Sequence, residues 1–314
     1  MFSILGGVFL GWSLGANDAA NVFGTAVASR MVKFWVAAVL ASAFVIAGAV
    51  ISGQAGIHTL RGLTTFSIQG AVISSVAAAL TVTMMTALSL PVSTSQAVVG
   101  SILGIGFLNG DLNFAGFGKV VACWFGTPVG AALASLVLYY GLGAIYNRMR
   151  LNLFDSDILI RICMIVAGSY GAYELGANNV ANVTAVYVAA GMLSVLAATL
   201  IGGCSIALGI VTFSRPVMET VGKKLVRLDP FSSLIVVLSL AVTVHFYTWL
   251  GVPVSTSQAV IGGVLGIGLV KGVQTVSTRT LKHILLGWFL TPVVASFLAM
   301  AITFVAHLKY MPAG

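Results

Sequence analysis

Long apolar stretches alternate along this chain with short polar or basic segments. Residues 62–110 are 49 consecutive positions without Asp, Glu, Lys or Arg, and residues 175–214 are another 40. A single helical membrane span needs only about 20 apolar residues. Each of these two stretches therefore predicts two passes into or through a membrane.

The same elements are predicted in each half of the chain. Each half has a first helix that carries polar residues, a second helix, a helical hairpin and a last helix. In the first half the hairpin has arms at 66–89 and 96–110. The other predicted helices, with the first half given before the second, are 3–29 and 162–189, 34–53 and 191–213, and 120–143 and 284–306.

The hairpin decides the topology. Its second arm holds about 15 residues, roughly 22 Å at helical rise, against a hydrocarbon core of roughly 30 Å. The hairpin is therefore expected to turn back inside the membrane. Three crossings plus a returning hairpin make an odd count, so the second half is predicted to be inverted relative to the first.

Three motifs recur in the same order, which indicates a duplicated unit. The predicted repeats are 1–155 and 156–314. The displacements are nearly constant at 161, 162 and 164 residues. In order, the motifs are "GANDAAN" (Gly15–Asn21) with "GANNVAN" (Gly176–Asn182), "PVSTSQAV" (Pro91–Val98) with "PVSTSQAV" (Pro253–Val260), and "WFGTPV" (Trp124–Val129) with "WFLTPV" (Trp288–Val293).

Composition supports an all-α integral membrane protein. Apolar residues make up 59% of the chain and charged residues 7%, and the mean hydropathy is +1.08. The apolar N-terminus has no basic segment before it and is interpreted as the first span rather than a cleaved signal. Cys123, Cys163 and Cys204 are scattered through apolar stretches and are expected to be unpaired core residues.

The basic residues predict the orientation, because cytoplasmic loops are enriched in Lys and Arg. With returning hairpins, one side receives twelve basic residues and the other three; if each hairpin crossed once, the division would be nine to six. Both termini are therefore expected outside the cytoplasmic membrane, and the net charge of +8 is explained without nucleic acid. The cytoplasmic set is Arg30, Lys33, Arg148, Arg150, Arg161, Arg215, Lys223, Lys224, Arg227, Lys271, Arg279 and Lys282, and the outer set is Arg61, Lys119 and Lys309.

The repeated Ser-Thr-Ser-Gln segments predict an anion site. Inverted repeats would bring both turns together near mid-depth. Each turn starts a short helix whose first N–H groups are unpaired and carry the positive end of the dipole. Alternatively, small hydroxyl residues serve only helix packing and capping. The candidate anion ligands are Ser93, Thr94, Ser95 and Gln96 with Ser255, Thr256, Ser257 and Gln258.

The signature helices predict a cation site. Their carboxylate and amide side chains, spaced one, three and four residues apart, crowd one helix face. Such oxygens suit a hard cation such as Na⁺, and an ionised Asp inside a span indicates a functional site. Hydrogen bonding between helices is the alternative. The candidates are Asn17, Asp18 and Asn21 with Asn178, Asn179 and Asn182.

Charge balance links the two sites. No Lys or Arg lies in the central segments that carry these motifs. A divalent oxyanion beside Asp18 would be repelled unless cations stood between them. Binding of anion and cation together is the electrostatic logic of a symporter.

Two further ionisable residues lie in apolar segments. Glu174, just before the second signature, is a candidate accessory cation ligand; a place in a water-filled vestibule or in helix pairing is the alternative. His245 is interpreted as a hydrogen-bonded helix residue rather than a proton carrier.

The paired signatures and "PVSTSQAV" hairpins resemble the inorganic phosphate transporter (PiT) family of cation-coupled phosphate symporters, over essentially the whole chain. The resemblance implies a two-repeat inverted transporter, usually a homodimer, that moves phosphate inward with Na⁺ or, in some members, H⁺. It implies that both Ser-Thr-Ser-Gln turns hold phosphate. It also implies that cations are coordinated by Asp18 and Asn21 with Asn179 and Asn182.

Two departures from the family pattern bear on coupling. The second signature often has Asp where this chain has Asn179, which affects the number and symmetry of cation sites. The hairpins often read Ser-Thr-Thr-His, and the loss of that titratable His favours Na⁺ over H⁺.

The alternatives are an H⁺-coupled phosphate symporter, a sulfate symporter, a channel and, more remotely, a membrane-embedded enzyme. Such an enzyme would need a nucleophile with a base, or a metal cluster, and no such pattern occurs in the sequence. Matched inverted repeats with interrupted helices favour alternating access over a channel. No cofactor is expected, and the expected ligands are the transported ions, Na⁺ and phosphate.

Overall fold

The computed structural model describes residues 2–87, 92–224, 228–272 and 278–309. These residues form a 3₁₀ turn at Phe2–Ile4 and eleven α-helices, with no strand among them. The helices are α1 (Leu5–Ala28), α2 (Phe34–Ser52), α3 (Gln54–Arg61), α4 (Ile68–Ala87), α5 (Thr94–Asn109), α6 (Phe114–Arg148), α7 (Leu153–Ala189), α8 (Val195–Lys224), α9 (Pro230–Trp249), α10 (Thr256–Lys271) and α11 (Thr278–Lys309).

Seven of the described helices are long and apolar enough to cross a membrane, which confirms the predicted all-α membrane protein. They are α2, α4, α6, α7, α8, α9 and α11. Helix α1 has 24 residues but is not among the seven. Polar residues such as Asn17, Asp18 and Asn21 lower its hydropathy, while 13 of its residues are buried against other helices.

Several helices extend beyond the predicted bounds. Helix α7 begins at Leu153 instead of 162, and α8 ends at Lys224 instead of 213. The added turns carry charged residues, as in the Arg161–Asp157 pair at 2.9 Å. Apolarity marks the part of a helix inside the membrane, whereas the helix itself continues wherever its backbone bonds are satisfied.

Helix α3 was not predicted. It is separated from α2 by Gly53 alone and buries Gly56, Ile57 and Leu60. A Cβ on Gly56 would lie 3.1 Å from the Cβ of Ala181, so α3 lies directly on α7. The apolar spacing of Ile57 and Leu60 was an available signal, although eight residues are too few for a confident helix assignment.

The two halves make their closest helix contacts with each other. A Cβ on Gly15 of α1 would lie 1.9 Å from the carbonyl oxygen of Ile206 on α8. A Cβ on Gly176 of α7 would lie 2.0 Å from that of Val45 on α2. Because each residue is displaced by 161 from its counterpart, the second contact is the first with the halves exchanged.

The short hairpin arms show the same exchange of contacts between the two halves. A Cβ on Gly100 of α5 would lie 2.3 Å from the carbonyl oxygen of Pro292 on α11, and a Cβ on Gly262 of α10 2.2 Å from that of Pro128 on α6. Pairwise exchange of this kind is the signature of a two-fold relation between the repeats. Inversion relative to the membrane remains a prediction.

Both short arms are 16-residue helices that end at a glycine in the left-handed region, Gly110 (φ 71°) and Gly272 (φ 63°). At the base of the second hairpin, Asp229 caps α9 by accepting a hydrogen bond from the Ser232 N–H at 3.0 Å, and it also binds Lys271. Burial acts to raise the pKa of Asp229, but its bonds with Lys271 and Ser232 outweigh burial and lower that pKa. The ion pair joins the two arms of this hairpin.

Candidate functional site

The two Ser-Thr-Ser-Gln segments form the starts of α5 and α10. Ser93 and Ser255 are N-cap residues with extended backbones. The Ser93 hydroxyl accepts a hydrogen bond from the Gln96 N–H at 3.4 Å, and the Ser255 hydroxyl accepts one from the Gln258 N–H at 3.3 Å. Both segments therefore present the N-terminus of a helix at a break between hairpin arms, as predicted.

The helices that carry the two signatures, α1 and α7, each contact the helix start of the opposite repeat, at α10 and α5 respectively. Asn21 of the first repeat donates through Nδ2 to Thr256 and Ser257 of the second, at 3.1 Å each. Asn182 of the second repeat donates through Nδ2 to Ser95 of the first, at 2.8 Å. Ser95 also donates to the carbonyl oxygen of Val254, two residues before Thr256, at 3.0 Å, which joins these contacts into one cluster with residues from all four motifs.

A carboxylate lies next to this cluster on one side only. The Asn21 amide nitrogen is 3.4 Å from Asp18 Oδ1, and Asp18 is only 4% exposed. At the equivalent positions, the Asn182 amide nitrogen donates to Asn179 Oδ1 at 2.9 Å. Among the described residues, no Lys or Arg forms an ion pair with Asp18.

Several polar atoms here are buried without a hydrogen-bond partner among the described residues. They include three amide oxygens and one hydroxyl. Burying such an atom unpaired costs about 1–3 kcal/mol, so these atoms are candidates for contact with a bound ion or water. They are Thr94 Oγ1, Gln96 Oε1, Gln258 Oε1 and Asn182 Oδ1.

The two glutamines lie on a different helix face from Ser95 and Ser257. One turn after Gln96, Gly100 faces α11, and one turn after Gln258, Gly262 faces α6. Because residues four apart share a helix face, both glutamine side chains start toward those outer helices. The crosswise hydrogen bonds described above involve the serines and Thr256 instead.

Asn178 contacts the break between α9 and α10. Its Oδ1 accepts a hydrogen bond from the Val254 N–H at 2.9 Å, and its Nδ2 lies 3.3 Å from both the Val252 carbonyl oxygen and the Thr248 hydroxyl. Its equivalent, Asn17, is partly exposed. In the first hairpin, residues 88–91 lie outside the described part of the chain.

Glu174 and His245 meet each other, a contact that the sequence alone did not predict. Glu174 Oε1 on α7 lies 2.7 Å from His245 Nδ1 on α9. The Glu174 side chain is fully buried, whereas that of His245 is 57% exposed. This geometry matches the helix-pairing alternative for Glu174 and the hydrogen-bonded role for His245. Two ionisable residues in facing apolar helices were the available signal.

Comparison with known proteins gives a consistent result. The model of the phosphate transporter family, PHO4, matches residues 14–299. A putative phosphate permease of Methanocaldococcus jannaschii is 30% identical over 94% of this chain and 93% of its own length. A sulfate permease, CysP, of Bacillus subtilis is also 30% identical, over 96% of this chain and 85% of its own length.

A solved structure described as "The sodium-dependent phosphate transporter" resembles this fold closely. Its TM-score is 0.84 at 25% sequence identity. The match covers 98% of each chain, so it includes both repeats and both hairpins.

Proposed function

Because the chain belongs to the phosphate transporter family, we propose that it carries inorganic phosphate together with Na⁺ across the cytoplasmic membrane by alternating access to one central site. The family resemblance predicted from the paired signatures is confirmed, and with it a transport rather than an enzymatic role. The coupling ion, the selected anion and the ligand residues are parts of the proposal.

The observation that carries the proposal is the position of Asn21. Its amide group lies 3.4 Å from Asp18 and 3.1 Å from Thr256 and Ser257. A cation held by Asp18 would therefore be separated from an anion at the start of α10 by the Asn21 side chain. That separation allows each ion to offset the charge of the other.

The anion would bind at the two helix starts. Unpaired N–H groups and the positive end of a helix dipole favour an oxyanion there. Hydroxyl groups of Ser93 and Thr94 and of Ser255, Thr256 and Ser257 add donors, whereas the one hydroxyl hydrogen of Ser95 is donated to the Val254 carbonyl oxygen. The Gln96 and Gln258 side chains leave the helix faces that point toward α11 and α6, so they would contact the anion only after rotating toward it.

The cation would be held by Asp18 and Asn21 with Asn182, and Asn179 would contribute only through a side-chain oxygen that already accepts a hydrogen bond from Asn182. Oxygen ligands of this kind suit Na⁺, and the related solved structure is of a sodium-dependent transporter. Asn179 replaces a carboxylate with a neutral amide, so the second signature contributes less charge than the first. Asn182 Oδ1 is buried without a partner among the described residues and is the best placed oxygen on that side.

Sulfate is the second candidate substrate, because one relative of similar identity is a sulfate permease. Phosphate at neutral pH carries a P–OH group that donates a hydrogen bond, whereas sulfate does not. The buried amide oxygens of Gln96 and Gln258, which the cation does not use, would accept this hydrogen bond once rotated toward the anion and would therefore favour phosphate. A buried acceptor facing sulfate would remain unpaired, at a cost of about 1–3 kcal/mol.

Uptake into proteoliposomes tests the proposal. Labelled phosphate is supplied with an inward Na⁺ gradient, an inward K⁺ gradient or a pH gradient, each imposed alone, with unlabelled sulfate as competitor. Only the Na⁺ gradient is expected to drive accumulation, and sulfate in excess should compete weakly. Accumulation driven by pH alone, or strong sulfate competition, would contradict the coupling ion or the substrate respectively.

A further inference from the structure

The Asn178 side chain bridges the break in the second hairpin. The Asn178 amide group contacts Val254 on one side of Pro253 and Val252 on the other, at 2.9 and 3.3 Å. It also reaches Thr248, in the last turn of α9, at 3.3 Å. Asn178 therefore joins the chain before the break to the chain after it.

The backbone of Val254 is also held from the opposite repeat. Ser95 donates its hydroxyl hydrogen to the Val254 carbonyl oxygen at 3.0 Å. Asn178 and Ser95 are 2% and 1% exposed, so water competes little for either bond. Because Val254 directly precedes Ser255, the N-cap of α10, these bonds fix where α10 begins.

The geometry of Asn178 differs from that of a cation ligand. An asparagine side chain offers only its Oδ1 to a metal ion, since the nitrogen carries hydrogens. In Asn178 this oxygen accepts the Val254 N–H. The corresponding oxygen of Asn182 is free of hydrogen bonds among the described residues.

We propose that Asn178 is a positioning residue rather than a Na⁺ ligand: with Ser95 it latches the Val254 backbone and so places the start of α10 at the anion site. This inference rests on the proposed function, since it assigns Asn178 a part in the same anion site. Loss of the latch would displace the α10 N-terminus while leaving the Asp18 side chain in place.

A second hydrogen bond joins α7 and α9, the two helices that carry Asn178 and Thr248. Glu174 precedes Asn178 by one turn of α7, and His245 precedes Thr248 by one turn of α9. The Glu174–His245 bond at 2.7 Å therefore holds the same two helices together one turn away. Helices α7 and α9 are therefore joined by hydrogen bonds in two successive turns beside the break.

Hydrogen exchange at the Val254 amide reads the latch directly. Purified full-length protein without phosphate is compared as wild type, Asn178→Ala, Thr248→Val and Asn17→Ala, using peptides that cover residues 250–258. Dissociation constants for Na⁺ alone and for phosphate at saturating Na⁺ are measured on the same samples. Asn17→Ala is the matched control, because it makes the same change at the equivalent position of the first repeat.

We expect Asn178→Ala to speed exchange at Val254 and to weaken phosphate binding by about tenfold or more, the effect of losing one or two buried hydrogen bonds. Na⁺ affinity without phosphate should stay within about threefold of wild type. Thr248→Val keeps the side-chain shape and should give a smaller change in the same direction. Asn17→Ala should leave exchange at Val254 unchanged.

The proposal is overturned if Asn178→Ala weakens Na⁺ binding without phosphate while exchange at Val254 stays as in wild type. If that variant does not fold, Thr248→Val decides the question, because it leaves Asn178 itself intact. Exchange equal to wild type in Thr248→Val would then contradict the latch. Failure of the wild type to bind phosphate would instead contradict the proposed function, and the exchange data would still test the latch.

Discussion

Single hydroxyl groups at the helix starts have two tasks that can be separated. Ser93 and Ser255 cap α5 and α10, and in the proposed mechanism they also contact the anion. A cap is worth about 1 kcal/mol of stability. A hydrogen bond to a charged ligand contributes about 1.5–3 kcal/mol to binding.

We expect Ser93→Ala and Ser255→Ala each to weaken phosphate affinity by about 1–3 kcal/mol, measured by equilibrium binding on purified protein. Asn152→Ala is the control, because Asn152 caps α7 through the Asp155 N–H at 2.9 Å, away from the site. The control should lose stability without losing phosphate affinity. Equal effects in all three variants would mean that the serines act only as caps.

At the residue scale, spacing predicts contacts within a helix but not contacts between helices. The three-residue spacing of Asp18 and Asn21, and of Asn179 and Asn182, correctly indicated side chains on one face. The crosswise bonds from Asn21 to Ser257 depend on how two distant helices pack, which no local pattern encodes. The contact between Glu174 and His245 likewise depends on how two helices pack, here α7 and α9.

At the element scale, helix length carries the topological argument. Helices α5 and α10 have 16 residues each, about 24 Å at helical rise, less than the roughly 30 Å of the hydrocarbon core. Each hairpin would therefore turn back inside the membrane. An odd number of crossings in each repeat makes an even total, which would place both termini on the same side, and the distribution of basic residues predicts that this side is the outer one.

Cysteine labelling tests this topology. Single cysteines at Lys33 and Lys223 should react with an impermeant maleimide only from the cytoplasmic side, and a cysteine at Arg61 only from outside. Right-side-out and inverted vesicles provide the two orientations for comparison. Labelling of the Lys33 and Arg61 positions from the same face would overturn the returning hairpins.

Element existence was predictable where apolar runs were long, and less so elsewhere. The hairpin arm predicted at 96–110 is α5, Thr94–Asn109. Helix α3 was missed because eight residues give little periodic signal. The ends of α6, α7 and α8 extend into polar sequence, where apolarity no longer marks a helix.

At the scale of the whole molecule, the sequence repeat predicts the two-fold exchange but not the packing partners. Gly15 against Ile206 and Gly176 against Val45 are equivalent contacts, and both need a residue without a side chain. Repeat detection could pair Gly15 with Gly176. Only the folded chain reveals that each meets the second helix of the other repeat.

The two halves are not in identical surroundings. Asn178, Asn182 and Ser95 are buried, whereas Asn21 and Ser257 are partly exposed. Exchange of these environments between the repeats is what alternating access requires. In the proposed mechanism, Na⁺ at Asp18 and phosphate at the helix starts bind together in this one cluster.

Equilibrium binding of phosphate to wild type and Asp18→Asn across a Na⁺ titration measures whether the two ions bind together through Asp18. In the wild type, Na⁺ should raise phosphate affinity by the same factor by which phosphate raises Na⁺ affinity, within about 5–150-fold for typical coupling. Asp18→Asn should lose this dependence. If Asp18 were only an electrostatic obstacle, the neutral variant would bind phosphate more tightly and need Na⁺ less. A variant that kept the wild-type Na⁺ dependence of phosphate binding would contradict coupling of the two ions through Asp18.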